Sequence, residues 1–312
     1  MSKTIAIGAD VGGSHVCCEA VDLSRRAFVA GSHSESKLDN QWPADDILKV
    51  WSATLKQTLD LIEDGQRAGI GFAMPGPFDY VNGVPLFKGN NKKYESIYGL
   101  DIPALLRKAL GVPDGFPIRF INDATAFALG EDFLGAAQGK NRSLSITLGT
   151  GFGSAFLEGH LPVVSGDKVP ETGAVWHLPF KNGNADDYFS TRGLLNRFAD
   201  KTGQQLAGVK DLAELAPTNA TANDLFVDFG TELGNFLAPW MGRFGAEVLV
   251  IGGNISRALP LFGASLQNSL ARHGVQAPVA LSTLHESAAL IGSALLADNE
   301  YYNKLLPILA HM

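Results

Sequence analysis

Cysteine is nearly absent from this chain: two of its 312 residues, the neighbours Cys17 and Cys18. Adjacent residues of a strand point to opposite faces, so these thiols do not readily pair and read as small core residues. No Cys-x-x-Cys or Cys/His set with zinc spacing occurs, and His160, His177, His273 and His285 are scattered, so no structural zinc is expected. Basic charge is also in deficit. The 25 Lys and Arg stand against 32 Asp and Glu, a formal net charge of −7, with Arg25-Arg26 and Lys92-Lys93 as the notable clusters. A nucleic-acid surface needs clustered positive charge, so that class of partner is excluded. No apolar run approaches the roughly 18 to 20 residues of a membrane span. The opening MSKTIAIGAD has no signal-peptide apolar region or cleavage site, so a cytoplasmic protein is expected.

Glycine and apolar residues are plentiful: 35 Gly, with 46% hydrophobic against 18% charged residues. That balance suits an α/β protein with many tight turns. The length exceeds the usual single-core limit, which predicts two lobes of roughly 120 to 170 residues. Strands are expected at Lys3 to Asp10, His15 to Asp22, Arg26 to Ser32 and Gly69 to Met74. Helices are expected from Pro43 to about Asp64 and from Asp101 to Leu110. From about Arg142 the same order returns, with strands over Leu144 to Leu148 and Gly153 to Glu158 around a glycine turn. Helices follow at Thr191 to Lys201, Val209 to Leu215, Asn223 to Met241, Ser256 to His273 and Glu286 to Asp298, with strands at Glu247 to Ile251 and Val279 to Ser282. Two lobes built alike are implied, 1–122 completed by a C-terminal helix at 299–312, and 123–298.

The most informative stretch is FINDATAFALGED, Phe120 to Asp132. A buried strand over Ile118 to Ile121 runs into a helix over Ala124 to Leu134, which sets Asp123 at or near the helix N-cap. A cap is the ordinary role of such an Asp. Asn122 adds a second polar group at the same strand end, where α/β sheets leave their ligand crevice. A carboxylate beside a phosphate site is what a kinase needs to take the proton from an attacking hydroxyl.

Phosphate-cradling turns lie on both sides of it in sequence. In DVGGSH, Gly12 and Gly13 can adopt a positive φ and bare their N–H groups to an anion, Ser14 adds a hydroxyl, and Asp10 can hold Mg²⁺ directly or through water. In LGTGFGSA, Gly149, Thr150 and Gly151 repeat the device. A strand follows it, so it is not the dinucleotide fingerprint, which opens a helix. Either turn alone is ordinary hairpin chemistry. VLVIGGNIS ends a strand in Gly252-Gly253-Asn254, where a flat ligand such as adenine can lie against the backbone. MPGPFD makes a stiff loop around Gly76 and Pro77.

These motifs, in this order and over nearly the whole chain, resemble the ROK family of sugar kinases (repressors, open reading frames, kinases), within the superfamily of hexokinases, actin and the heat-shock chaperone ATPases. The resemblance implies a two-lobed actin-like ATPase fold of the ribonuclease H-like kind, with the active site in the interlobe cleft, and a homodimer. It implies ATP and Mg²⁺ as cofactors. Asp123 would be the general base and a sugar ligand, with Asn122, Asn90 or Asn91, and the Gly76-Pro77 loop as further sugar contacts. Asp10 would organise Mg²⁺, Gly12, Gly13, Ser14, Gly149, Thr150 and Gly151 would hold phosphates, and Gly252, Gly253 and Asn254 would back the nucleoside.

The chain departs from the family at three places. The family's Glu-x-Gly-His becomes ETGA, keeping Glu171 but placing Ala174 where the His would stand. The Cys-rich zinc loop is replaced by FKNGNADD, and the Glu beyond it appears as Asp187. Those positions belong to the sugar's anomeric side, so an acceptor other than glucose is expected. The function expected is an ATP-dependent kinase acting on a hydroxyl of a hexose, hexose derivative or related polyol. Alternatives are a catalytically silent sugar sensor on the same fold and a polyphosphate-using sugar kinase. Family repressors carry a DNA-binding domain ahead of the first turn, whereas nine residues precede Asp10 here, which weighs against a DNA-bound repressor.

Overall fold

The computed structural model describes residues 4–89 and 93–312. Residues group into two compact units, Met1–Leu134 with Glu286–Met312, and Gly135–His285. The boundary therefore falls after the helix that follows Asp123 rather than before it, and the chain returns at 286 rather than 299.

In the first unit β1 (Ile5–Val11) and β2 (His15–Asp22) form an antiparallel hairpin with Val11 opposite Val16. Of the third strand expected over Arg26 to Ser32 only β3 (Ala27–Phe28) forms, and a further strand, β4 (Ser34–Lys37), follows outside that span. The physical cause is local: Gly31 takes a φ of 73°, and the Ser32 hydroxyl accepts the Ala20 N–H at 3.0 Å in place of a strand carbonyl. Helix α1 (Ala44–Leu59) buries Ile47, Trp51, Leu55 and Leu59, one apolar stripe at helical spacing. After β5 (Arg67–Met74) comes a small hairpin of β6 (Phe78–Asp79) and β7 (Val84–Pro85). Helix α2 (Ile102–Leu110) starts on an Asp101 cap that accepts the Ala104 N–H and ends on left-handed Gly111. Strand β8 (Ile118–Asn122) leads directly into α3 (Asp123–Leu134). The sheet order is β3-β2-β1-β5-β8, with β4 also on β2; β1, β5 and β8 run parallel.

The second unit repeats this plan. Strands β9 (Arg142–Leu148) and β10 (Phe152–Glu158) form the hairpin, β11 (Leu161–Pro162) extends it, and β12 (Pro179–Phe180) pairs with β13 (Gly183–Asn184). Helices α4 (Ala185–Phe189), α5 (Thr191–Thr202), α6 (Val209–Leu215) and α7 (Ala220–Phe244) follow, then β14 (Val248–Gly252), α8 (Leu259–Arg272) and β15 (Val279–Leu281). The order β11-β10-β9-β14-β15 again sets a parallel strand, β14, beside the first strand of the hairpin. Its core is aromatic, with Phe229 edge-on to Phe262 at 5.1 Å and to Phe189 at 5.7 Å.

The chain re-enters the first unit as α9 (Ser287–Ala294), then α10 (Asn299–Leu309). Helix α9 is buried on every side from Ala288 to Ala294 and is made of small residues because its backbone touches its neighbours directly. A methyl on Gly8 of β1 would overlap the Leu290 carbonyl, and one on Gly71 of β5 the Ser293 carbonyl. Gly130 of α3 and Gly292 of α9 meet the Ala288 and Ala126 carbonyls in the same way. This backbone-to-backbone packing is what assigns both α3 and α9 to the first unit. Among the described residues no helix is long and apolar enough to cross a membrane.

Candidate active site

Parallel register levels three strand ends in the first unit. Asp10 of β1 lies opposite Ala73 of β5, and Met74 of β5 opposite Asn122 of β8, so Asp10, the Met74-to-Pro77 loop and the Asn122-Asp123 pair emerge along one sheet edge. The carboxyl ends of parallel strands are where such sheets bind ligands.

The helix cap expected of Asp123 is made by its neighbour. Asn122 Oδ1 accepts the Thr125 N–H at 3.2 Å, so Asn122 is the cap and Asp123 the first residue of α3. Asp123 Oδ1 accepts the Ala124 N–H at 2.8 Å and Asn122 Nδ2 at 3.0 Å. Both bonds fix the plane of an exposed carboxylate through one oxygen. Desolvation by the surrounding protein raises the Asp123 carboxyl above the usual range, while those bonds and the charge of Lys93 oppose the rise. Because the side chain is exposed, that upward pressure is weakest in water and grows when a ligand excludes it. Buried Tyr80 supports the pair: its hydroxyl donates to the Met74 carbonyl at 3.0 Å and lies 3.5 Å from Asn122 Nδ2.

Asp10 is half-buried, and its carboxyl is raised as well. Burial, then the negative charges of Asp123 and Glu286, raise its carboxyl to about 7, against the pull of the Val11 N–H. Glu286 lies just before α9 and joins this cluster only through the fold. Among the described residues no group of three His, Cys, Asp or Glu forms a ready-made metal site.

The first glycine turn closes with Gly12 N–H on the His15 carbonyl at 3.0 Å. Neither Gly12 nor Gly13 takes the positive φ expected of it. Space is tight there instead: a Cβ on Gly12 would meet the His15 ring at 2.9 Å, and one on Gly13 the Asn40 amide at 3.2 Å, so either side chain would have to shift. Ser14 is exposed, its hydroxyl 3.4 Å from His15 Nδ1. Gly76 and Pro77, joined by a cis peptide, are exposed after β5. Asn90 and Asn91 lie outside the described residues.

In the second unit, parallel pairing sets Gly252 opposite Thr147, so the Gly252-Gly253-Asn254 end of β14 lies beside the glycine turn that follows β9. Gly253 has a φ of 80° and packs on the Leu148 backbone, where a Cβ would overlap. Thr150, Gly151, Gly253 and Asn254 are exposed. The turn itself is anchored by a residue the sequence did not single out. Asp186 Oδ1 accepts the Phe152 N–H at 2.7 Å, with Arg192 at 3.0 Å on its other oxygen. Asp187, the carboxylate expected at the sugar, forms a capping box with Asn184 through bonds of 3.0 and 3.1 Å and also meets Arg192. Glu171 is exposed in a short 3₁₀ turn, Glu171–Gly173, and half-buried Ala174 follows it. Ser154 of β10 anchors this segment by accepting the Val175 N–H at 3.0 Å.

Comparison with known proteins identifies the family and the fold. The model of the ROK family matches residues 6–300. A glucokinase from Thermotoga maritima is 26% identical over 94% of this chain and 97% of its own length. An N-acetylgalactosamine kinase from Shewanella is 24% identical over 93% and 95%. The solved structure of a ROK family glucokinase from Streptomyces griseus, in complex with glucose and AMPPNP, matches with a TM-score of 0.72 at 22% identity, covering 94% of this chain and 98% of that one. The fold is that of the actin-like ATPases.

Proposed function

The chain belongs to the ROK family and is a sugar kinase; we propose that it transfers the γ-phosphate of ATP to a hydroxyl of a hexose or hexose derivative, with Asp123 as general base. The observation that carries this reading is the division of labour at the start of α3. Asn122 satisfies the helix terminus, so the Asp123 carboxylate is oriented but not consumed by capping. Its place in the first turn of a helix favours the ionised form, the form that accepts a proton. Desolvation on ligand binding raises its basicity as the hydroxyl arrives. Asn122 and the Gly76-Pro77 loop are assigned to the sugar, the Gly12-to-Ser14 and Gly149-to-Gly151 turns to phosphates, and Gly252-to-Asn254 to the nucleoside.

Asp10 fits Mg²⁺. A carboxylate crowded by the charges of Asp123 and Glu286 suits an ion that takes one or two carboxylates and fills its shell with phosphate oxygens and water. When bound, such an ion neutralises charge on the phosphates. Asp10, Asp123 and Glu286 supply the negative field that draws it.

The test is ADP release from ATP and Mg²⁺ across hexoses, amino sugars, N-acetyl sugars, ketoses and cyclitols, with sugar phosphate formation as the readout when polyphosphate replaces ATP as donor. Asp123→Asn is expected to lower kcat by roughly 10²- to 10⁴-fold while leaving the melting temperature and nucleotide affinity near wild type. A variant keeping more than about a tenth of wild-type kcat, well outside that range, would reduce Asp123 to an accessory of the helix terminus.

A further inference from the structure

Two side chains outside the glycine motif grip the carbonyl side of the first turn. The Tyr94 hydroxyl donates to the Gly12 carbonyl at 2.5 Å, and Asn40 Nδ2 donates to the next carbonyl, Gly13, at 2.6 Å. The two grips are joined, because the Tyr94 N–H donates to the Asn40 carbonyl at 2.9 Å. Gln41 Nε2 donates to Asn40 Oδ1 at 2.5 Å, which fixes which end of the Asn40 amide faces Gly13.

In a trans peptide the C=O and the following N–H point in opposite directions. Holding the Gly12 and Gly13 carbonyls toward Tyr94 and Asn40 therefore turns the Gly13 and Ser14 N–H groups the other way. Among the described residues neither N–H donates to another protein group, whereas the Gly12 N–H is used to close the turn. We infer that Tyr94 and Asn40 are positioning residues, which lock two successive peptide planes so that the Gly13 and Ser14 N–H groups are aimed at a phosphate oxygen. This assignment rests on the kinase reading of the turn.

Tyr94 is held for this role at a cost. It is fully buried against Trp51 and Phe87, with ring centroids 5.7 and 5.8 Å away, in a left-handed conformation with φ 57° and ψ 23°. A bulky residue rarely adopts that region, and such strain gathers where geometry is enforced. Burial and the charge of Asp10 push the phenol upward, so the hydroxyl stays protonated and remains a donor.

Calorimetric titration of the full chain with MgATP and with MgADP, set beside steady-state kinetics, tests the assignment. Tyr94→Phe keeps the ring and removes only the hydroxyl; Asn40→Ala releases the second carbonyl. Each is expected to weaken nucleotide binding and to lower kcat/KM for ATP by roughly 3- to 10-fold, the worth of one neutral hydrogen bond, with KM for the sugar and the melting temperature unchanged. Nucleotide affinity equal to wild type in both variants overturns the assignment. So does a loss shared equally by ATP and sugar and matched by a lower melting temperature, which marks the hydroxyl as structural only. A wild-type chain that binds MgATP but phosphorylates no sugar sinks the kinase reading and leaves the binding comparison to decide the turn. A wild-type chain that binds no nucleotide sinks both.

Discussion

Two neighbouring carboxylates and a half-buried site oppose the ionisation of Asp10, and the sign of the consequence follows from linkage. Its carboxyl moves from the ordinary 3.8 to about 7 in the folded chain. Below the lower value it is protonated in both states. Between the two values the unfolded chain has lost a proton that the folded chain keeps, so stability falls as pH rises through that window and falls no further above it. Asp10→Asn mimics the neutral form. In nucleotide-free and metal-free buffer it is expected to resist urea better than wild type at pH 8, with the advantage shrinking toward pH 5. Urea midpoints across that range check this, and an Asn variant that is weaker than wild type at pH 8 would show the ionised carboxylate to be a stabilising partner. The expected gain at pH 8 would mark Asp10 as a residue whose charge serves something other than the stability of the empty protein, as perturbed carboxyls at ligand sites do. Asn122 and Asp123 divide the helix start: Asn122 takes the Thr125 N–H, and Asp123 is held through Oδ1 by the Ala124 N–H and Asn122 Nδ2.

At the scale of elements, glycines serve two different purposes that composition alone does not separate. Gly292 sits inside α9, where replacement by Ala ordinarily gains about 1 kcal/mol of helix propensity. Its added methyl would overlap the Ala126 backbone carbonyl of α3, a contact that cannot yield as a flexible side chain does. Overpacking of this kind costs about 1 to 3 kcal/mol or more, so the clash outweighs the propensity. Gly292→Ala is expected to lower the urea midpoint clearly. Gly149→Ala, at a position with no heavy atom within 4 Å of the added carbon and no positive φ, is the control and should melt as wild type. If Gly292→Ala is as stable as the parent, the α3–α9 contact is looser than this packing requires. Glycine at 292 is part of the packing of the first unit, whereas glycine at 149 has open space beside it.

At the scale of the whole molecule the expected outcome concerns the acceptor. Ala174 offers no polar side chain, and Asp187 is engaged by Asn184 and Arg192 rather than left free. A site that hydrogen-bonds a particular hydroxyl discriminates by up to roughly 10⁴-fold, so losing such partners reshapes preference more than it reshapes chemistry. Glucose is therefore expected to be a poor acceptor beside a sugar with a substituent, ring or configuration that differs near the anomeric carbon. The measurement is kcat/KM across the sugar panel with Glu171→Ala in parallel. Glucose as the best acceptor, with the Glu171 variant affecting all sugars alike, ends this inference and leaves the kinase assignment standing.

Whatever depends on neighbours along the chain was legible in the sequence. Apolar periodicity located α1, α6 and the strand-to-helix junction at β8 and α3, glycine spacing located both turns, and their order indicated a sugar kinase. These features follow from local sterics and from the hydrogen-bonding needs of each backbone segment. Tertiary structure alone decided the rest. It chose Asn122 over Asp123 as cap and Asp186 over Asp187 as the anchor of the second turn, because adjacent polar residues read alike until their side chains find partners. It brought Glu286 to Asp10, and Tyr94 and Asn40 to the first glycine turn. It also carried the boundary of the first unit past α3, since only the docking of α9 shows that the two helices share one core. Apart from the Asn122 cap, which is a contact with Thr125 three residues on, each of these depends on strand register and helix docking between residues far apart in the chain, energies to which no local pattern corresponds.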